Sequence, residues 1–230
     1  MSVERRIIYE DNHLLVVNKL PGELVQGDKT GDEALDEALK AFIKQRDGKS
    51  GNVFLGVPHR LDRPVSGAVL FAKTGKALER FNEMLRTRTI RKKYWAITLQ
   101  RPEPDRGELK HYLRRNEKLN KSFVSPHPKP DTKEAILNYH YKGCSDNYYF
   151  VEVELITGRH HQIRAQLSAI GCTIKGDLKY GAPRSNPDGG VSLHARSLSF
   201  IHPVKKEAIE VVAPTPDEVL WRLFREAVSG

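Results

Sequence analysis

Short apolar runs separated by turn signals recur along this chain, and they constrain its fold more than any other feature. Alternation and apolar content predict strands at 7–9, 14–17, 53–57, 68–72, 90–99, 135–142, 148–156, 191–201 and 207–212. Helical periodicity predicts helices at about 30–46, 74–88 and 159–170, and a last helix that opens at 215–218. Thr30, Thr74 and Thr215 are the predicted N-terminal caps of the first, second and last of these helices. Because adjacent strands are often joined by short turns and helices fall between them, this order predicts an α+β fold with a mixed, mostly antiparallel sheet flanked by helices.

The length and composition are those of a globular protein. The 230 residues can bury a full core, and we expect one domain, 1–230, made of two packed lobes. No apolar run of about 18 residues predicts a membrane span, and Met1–Arg6 lacks the apolar core of a signal peptide. Cys144 and Cys172 make neither a metal-ligand spacing nor a disulfide framework. These features favour a cytoplasmic monomer.

Positive charge is concentrated in one window of the sequence. Residues 86–121 contain twelve Lys or Arg and four Asp or Glu, which accounts for +8 of the net charge of +9. Tyr94, Trp95 and Tyr112 lie among these cations, a composition that suits a polyanion partner. A solvated charged surface is the alternative, but the concentration of charge in one window favours nucleic acid.

The polar segment 114–133 overlaps the end of this window and extends beyond it. It is basic and contains Pro126, Pro128 and Pro130, so we predict a mobile basic loop within the single domain. Arg114, Arg115 and Lys118 are its candidate polyanion-binding residues.

The segment 59–67, which we call the Asp62 loop, places one carboxylate between two arginines. It lies between the apolar runs 53–57 and 68–72 and is rich in Pro and Gly, so it predicts a strand, a loop and a strand. Arg60 and Arg63 favour the ionised form of Asp62, which suits a site that binds phosphate and needs a nucleophile or base. A surface salt-bridge loop is the alternative, and spacing alone does not decide.

Two further candidates come from periodicity. In the strand 90–99, Trp95 and Ile97 share one face and Tyr94 lies on the other, so Tyr94 is expected on a more open face if the first set packs in the core. The alternative, which spacing alone favours, is a half-buried strand tyrosine. In the helix 159–170, Arg164 lies about 100° from the core-facing Ile163, so it can point at a cleft at the edge of the core.

The histidines invite a metal hypothesis, which we reject. Adjacent His160 and His161 point about 100° apart on a helix, and no Cys or acidic residue has ligand spacing. His59 and His194 are better interpreted as hydrogen-bonded structural residues. We therefore expect no metal.

Four segments, in order along the chain, resemble the motifs of one enzyme family. They are His59-Arg60-Leu61-Asp62-Arg63 with Ser66-Gly67, Lys93-Tyr94-Trp95-Ala96, Thr157–Arg164 with Gly171, Gly176-Asp177 and Tyr180-Gly181, and Leu193-His194-Ala195. The set resembles the RluA family of pseudouridine synthases, which isomerise uridine to pseudouridine in RNA. The segments span 59–195, most of the chain, and the first and third are long enough to be specific.

The resemblance implies a pseudouridine-synthase-like catalytic domain with a central RNA-binding cleft. It implies ribosomal or transfer RNA as partner, with neither a cofactor nor an obligate protein partner. Many relatives carry a small N-terminal RNA-binding domain of the S4 type. Here the catalytic pattern starts almost at once, at Ile7, so we expect a form without that domain.

The resemblance also assigns roles. Asp62 would be the essential carboxylate for cleavage of the N-glycosidic bond, after which the base rotates and rejoins through C5. It could attack C1′, attack the base or take the 2′ proton, and the sequence does not choose among these. We find no second acid in an equally special setting, since Asp177 is interpreted as a turn residue. A single essential carboxylate suits isomerisation better than hydrolysis, which ordinarily uses two.

The remaining roles concern orientation and binding. Arg164 would pair with Asp62, and Tyr94 would stack on the uracil of a flipped-out nucleotide, its hydroxyl a candidate for handling the C5 proton. Arg60 would fill the gap left by the base or hold phosphate. His59 and Arg63 are further candidates for RNA contact.

Two positions depart from the family pattern. Val65 stands where Thr is usual and His160 where Thr or Ser is usual, and neither change touches the proposed catalytic groups. A non-catalytic RNA-binding protein on the same fold remains the alternative function.

Overall fold

A computed structural model describes residues 2–27 and 31–229, and its α+β architecture confirms the predicted fold class. Its strands are β1 (Ile7–Glu10), β2 (Leu14–Lys19), β3 (Ser66–Ala72), β4 (Arg91–Thr98), β5 (Arg106–Asn116), β6 (Lys121–Ser125), β7 (Lys133–Cys144), β8 (Tyr149–Leu155), β9 (Leu193–Ile201) and β10 (Ala208–Val212). Its α-helices are α1 (Leu35–Arg46), α2 (Gly75–Arg86), α3 (Gln162–Ala169) and α4 (Val219–Ser229), and 3-10 turns cover Glu4–Arg6 and Leu178–Tyr180.

The chain folds into two compact units. The first contains the described residues up to Arg91 together with Ala195–Pro214, and the second contains Lys92–His194 and the chain from Thr215 onward. Both units are therefore assembled from two separate segments of sequence. Strand β9 begins in the second unit and continues in the first.

The first unit is built on a sheet in which the β1–β2, β2–β3 and β9–β10 pairs are antiparallel. Its strand order is β1-β2-β3-β9, and β10 pairs with β9. Strand β2 is buried along most of its length and pairs with β3 so that Leu14 lies opposite Ala72. Helix α2 begins where the Thr74 side chain accepts the Ala77 N–H, as its sequence predicts. Phe81 of this helix then packs edge-on against Phe200, at a centroid distance of 5.3 Å.

Gly67 joins the Asp62 loop to β3 at a position that excludes a side chain. Its φ is +113°, and a Cβ atom there would lie only 2.3 Å from the carbonyl oxygen of Ala195. Both the left-handed backbone and the close approach require glycine. Gly67 therefore lets the start of β3 lie directly against β9.

The second unit has the strand order β4-β8-β7-β5-β6, and all adjacent strands in this order are antiparallel. An aromatic cluster joins these strands to α4. Phe224 of α4 stacks on Trp95 at 4.4 Å and on Phe150 at 4.9 Å, and Ile97 and Trp221 complete the cluster. The prediction that Trp95 and Ile97 face the core is confirmed.

Several predicted elements differ from the structure. Residues 53–57 are not a strand, because only Gly56 pairs there, through two hydrogen bonds with Ala72. Thr30, the predicted cap of the first helix, lies outside the described residues. Helix α1 begins at Leu35, with Ala34 at its N-cap.

The predicted basic loop at 114–133 is wrong where strands occupy it, whereas 117–120 and 126–132 are irregular as predicted. Residues 114–116 belong to β5 and 121–125 to β6, and the pair forms what we call the β5–β6 hairpin, 106–125. Strand β5 also pairs with β7 from Arg106 to Leu113. The pairs between β5 and β6, from Tyr112 opposite Ser125 to Asn116 opposite Lys121, satisfy the backbone in part of the segment whose polar composition predicted a loop.

Helix α3 is shorter than predicted and ends before Gly171, whose φ is +79°, in keeping with a glycine after the helix C-terminus. Across the described part of the chain, no helix combines the length and the apolar character that a bilayer crossing needs.

Candidate active site

The Asp62 loop is irregular backbone closed by a turn, as predicted. The Val65 N–H donates to the Asp62 carbonyl oxygen at 3.0 Å. Leu61 and Val65 are buried, whereas Arg60 is exposed and Asp62 is partly buried. The apolar side chains thus anchor the loop, and the carboxylate keeps some access to solvent.

His59 and Arg63, both candidates for RNA contact, make contacts within the first unit. The Leu70 N–H donates to Nε2 of His59 at 3.0 Å, which supports its structural interpretation. Arg63 donates from Nε to the Gly22 carbonyl oxygen at 2.9 Å and pairs with Asp32 at 2.7 Å. RNA contact by His59, Arg60 or Arg63 stays a prediction.

Lys19, outside the Asp62 loop, holds that loop in place, and the sequence did not predict this role. It ends β2 and is 0% exposed. Its ammonium group donates to three carbonyl oxygens, those of Leu20 at 2.8 Å, Arg63 at 3.0 Å and Val65 at 2.7 Å. Two of these acceptors lie in the loop, one and three residues after Asp62, so Lys19 fixes the backbone that carries the carboxylate.

The electrostatics of Lys19 reflect this position. Burial lowers the pKa of Lys19 to about 7. The negative charges of Glu23 and Asp62 partly oppose this effect, because they favour the charged form of the lysine. The available signal was a lysine at the end of the apolar run 14–17 and before the turn Pro21-Gly22. A charge in such a run indicates a buried group with dedicated partners.

Arg164 is buried in the second unit, where Asp177 holds it. The two side chains are 5% and 1% exposed. Arg164 Nε and Nη2 donate to the two carboxylate oxygens of Asp177 at 2.7 and 2.9 Å, a bidentate geometry. The interpretation of Asp177 as a turn residue was incomplete, since its side chain is a buried partner. The pairing of Arg164 with Asp62 stays a prediction.

Tyr180 packs against the same guanidinium group. The Arg164 Cζ lies 5.2 Å from the centroid of its ring, within the range of a cation–π contact. The Tyr180 hydroxyl accepts the Ser122 N–H at 2.8 Å and lies 3.1 Å from Nδ1 of His161. Tyr180 therefore connects the Arg164 guanidinium to the β5–β6 hairpin.

His161 is buried beside Tyr180. Its backbone is left-handed, with φ of +54°. Burial lowers the pKa of His161 to about 2, with Arg164 the largest of the nearby positive charges that add to the effect. The imidazole is therefore neutral at physiological pH. His160 stacks on it at 3.7 Å, and the Ser122 hydroxyl donates to the His160 carbonyl oxygen at 2.7 Å.

Tyr94 lies in β4 opposite Val153 of β8. Its side chain is only 7% exposed, so the expectation of an open face is wrong in this structure. The alternating pattern placed Tyr94 and Trp95 on opposite faces correctly, but it could not predict what covers the second face. Stacking of Tyr94 on uracil stays a prediction.

The candidate RNA-binding residues of the β5–β6 hairpin are on the surface. Arg114, Arg115 and Lys118 are exposed. Two apolar side chains, Leu119 and Phe123, are also exposed, by 59% and 41%. Cations with exposed apolar and aromatic groups suit a nucleic acid surface.

The histidines do not form a metal centre within the described ranges, 2–27 and 31–229. No group of three His, Cys, Asp or Glu side chains is close enough there to hold an ion. The structure instead gives His59 and His161 the hydrogen-bond partners described above.

Comparison with known proteins shows the family to which the sequence of this chain is similar. A family model described as RNA pseudouridylate synthase matches residues 13–169. An uncharacterized RNA pseudouridine synthase of Bacillus subtilis is 34% identical over 216 residues, which cover 93% of this chain and 70% of that protein. The ribosomal large subunit pseudouridine synthase C of Vibrio cholerae is 32% identical over 220 residues, which cover 93% of this chain and 66% of that one.

A solved structure agrees with these relatives. Human RNA pseudouridylate synthase domain containing 4 matches with a TM-score of 0.80 and 26% identity, over 99% of this chain and 93% of that chain. The chain spans about two thirds of the length of the first curated relatives it matches. This chain therefore belongs to the RNA pseudouridylate synthase family, whose members are isomerases that act on RNA.

Proposed function

We propose that this protein isomerises specific uridines of ribosomal RNA to pseudouridine. Family membership supports the reaction. The name of the Vibrio cholerae relative refers to the large ribosomal subunit, which supports ribosomal RNA as the substrate class, with transfer RNA as the alternative. The reaction is balanced within one nucleotide: the N1–C1′ bond breaks, the C5–C1′ bond forms, the C5 proton leaves and N1 gains a proton.

We propose Asp62 as the essential carboxylate of this reaction. The observation that carries the proposal is the fixed, partly accessible position of Asp62 on a loop in which Lys19 binds the carbonyl oxygens of Arg63 and Val65. A nucleophile or base acts efficiently only when its geometry is set before the substrate arrives. Whether Asp62 attacks C1′, attacks the base or takes the 2′ proton does not alter this requirement.

We further propose that Arg164 orients the Asp62 carboxylate and that Tyr94 stacks on the target uracil. The bidentate contact with Asp177 supports an orienting role, because it restricts the guanidinium to one position. Arg60 is exposed and would contact the flipped nucleotide or its phosphate. Residues 1–230 would act as one catalytic domain and as a cytoplasmic monomer that needs no obligate protein partner.

The decisive experiment compares Asp62→Ala with Asp146→Ala, which removes an exposed acid elsewhere. We expect Asp62→Ala to bind ribosomal RNA within about threefold of wild type but to form no pseudouridine, a loss of at least about 10³-fold in rate. Asp146→Ala should keep full activity. Pseudouridine mapping of an unmodified ribosomal RNA transcript measures product, and filter binding measures affinity.

Two outcomes would contradict the proposal. Normal product from Asp62→Ala would remove Asp62 from the chemistry. Wild-type protein that binds ribosomal and transfer RNA transcripts but forms no product on either would support the alternative, a non-catalytic RNA-binding protein on this fold.

A further inference from the structure

Lys92 is a partly buried cation that has no anionic neighbour within residues 2–27 and 31–229. It is the second residue of β4. Among the residues that the structure describes, none is hydrogen-bonded to its ammonium group or forms an ion pair with it. The next residue is a contrast: Lys93 lies 3.7 Å from Glu152 and is 41% exposed.

This arrangement costs stability in the free protein. Burial alone lowers the pKa of Lys92, because the ammonium loses hydration and no counter-charge replaces it. A partly buried charge without a partner is expensive to retain. Apolar residues of similar length would fit the same strand at lower cost, so the charge is better explained by a ligand than by folding.

The surroundings of Lys92 leave room for that ligand. A Cβ atom on Gly158 would lie 3.7 Å from Lys92 Nζ, so the glycine leaves this side of the ammonium without a covering side chain. Gly158 is exposed and lies in the segment 157–164. An anion can therefore approach the ammonium where the chain bears no side chain.

The placement of Lys92 relates it to the proposed chemistry. Residues 92 and 94 lie on the same face of β4, about 7 Å apart along the strand. Tyr94 is the residue proposed to stack on the target uracil. A nucleotide with its base at Tyr94 would have its backbone close to the flexible side chain of Lys92.

We propose that Lys92 binds a backbone phosphate of the RNA next to the target uridine, with Gly158 forming the open side of this phosphate site. The inference rests on the proposed function, since it takes the position of the uracil from Tyr94. Phosphate is the anion that RNA presents at every nucleotide, and an ammonium group binds it as a point charge.

The test uses Lys92→Met with Lys93→Met as its matched control and Lys92→Arg as the charge-preserving variant. All three are made in Asp62→Ala protein, so that binding to an unmodified ribosomal RNA transcript is measured without turnover. At about 100 mM KCl we expect Lys92→Met to weaken binding about tenfold and to lower the salt slope by about one, whereas Lys93→Met changes affinity less than twofold. Lys92→Arg should retain the slope.

Thermal stability distinguishes a role of Lys92 in RNA binding from a structural role. If Lys92 serves the ligand, Lys92→Met should melt at the same temperature as the parent protein or higher, because an unpaired buried charge has been removed. A lower melting temperature, or equal affinities and slopes for Lys92→Met and Lys93→Met, would overturn the inference. Failure of the proposed function gives a different result: Asp62→Ala protein would form pseudouridine, while Lys92→Met would still weaken RNA binding.

Discussion

The Asp62 loop and the β5–β6 hairpin are both polar segments that carry arginines, yet they are held in opposite ways. In the loop, one buried ammonium group binds three carbonyl oxygens, among them those of Arg63 and Val65, which follow Asp62 by one and three residues. The hairpin is held by strand ladders on both sides of β5 and by the Ser122–Tyr180 contact. The loop therefore depends on a few side chains, of which Lys19 makes the most contacts, and the hairpin distributes its support over many backbone bonds.

This difference matches what each segment is proposed to do. A catalytic carboxylate needs one fixed position, and a buried lysine supplies it without regular structure. A surface that binds a phosphate backbone needs its cations spread along a stable support, which a hairpin provides. The comparison predicts that single substitutions damage the loop, while several simultaneous substitutions are tolerated on the hairpin.

The largest effect is expected for Lys19→Met. The methionine fills a similar volume but removes the ammonium donor from three carbonyl oxygens, of which that of Arg63 keeps the Gly22 N–H, so we expect a loss of about 3 kcal/mol in the free energy of unfolding. Displacement of Asp62 should also lower kcat by roughly tenfold. Urea denaturation and single-turnover kinetics measure the two effects.

The control for this variant is Lys76→Met, which removes an exposed lysine of α2. It should change the free energy of unfolding by less than about 0.5 kcal/mol. If Lys19→Met were as harmless as Lys76→Met, the loop would not depend on its buried cation and the contrast with the hairpin would disappear.

The second prediction concerns the effect of pH on stability through His161, the buried imidazole beside the β5–β6 hairpin. The pKa of His161 is about 2 in the folded protein and about 6.5 in an unfolded chain. Between these values the unfolded chain binds more protons, so stability is fully present above about pH 6.5 and is lost as pH falls toward 2. At about 1.4 kcal/mol per pH unit, His161 should cost about 2 kcal/mol of stability between pH 7.5 and pH 5.

The variant that isolates this effect is His161→Asn, because asparagine tolerates the left-handed backbone at this position. Its unfolding free energy should fall less than that of wild type over the same pH interval. Lys19, whose pKa is lowered to about 7, acts in a separate window, where stability rises from about pH 7 toward the value of about 10.4 for an unfolded lysine. Identical acid sensitivity of wild type and His161→Asn would show that His161 is not a buried neutral base.

The sequence predicted those parts of the site that local pattern determines. Asp62, Arg164 and Tyr94 belong to motifs with a specific spacing, and the turn around Pro64 follows from its residue types. The role of Lys19 could not be predicted, because its three acceptors become neighbours only when β2 and the Asp62 loop come together. The carboxylate of Asp177 was missed for the same reason, since its partner Arg164 lies thirteen residues away.

The hairpin shows how local composition can mislead. Its charged and polar residues favoured a loop, but Arg114 pairs with Phe123 and Arg115 with Ser122, whereas the prolines at 126, 128 and 130 do lie in irregular structure. Such pairs are set by tertiary context rather than by intrinsic preference. The burial of Tyr94 has the same explanation, because alternation fixes the face of a side chain and not what covers that face.

The smallest effect on stability, and the clearest effect on binding, is expected when Arg114, Arg115 and Lys118 are all replaced by glutamine. Their side chains are exposed, and the ladders do not need them, so the free energy of unfolding should change by less than about 0.5 kcal/mol. Affinity for a ribosomal RNA transcript should fall at low salt, and the salt slope should decrease by about two if all three contact phosphate. Filter binding over a series of KCl concentrations measures the slope, with Lys142→Gln, Lys129→Gln and Lys76→Gln combined as a control of equal charge change. An unchanged slope in the hairpin variant would mean that these cations only solubilise the surface, and RNA binding would then depend on the Asp62 loop rather than on the hairpin.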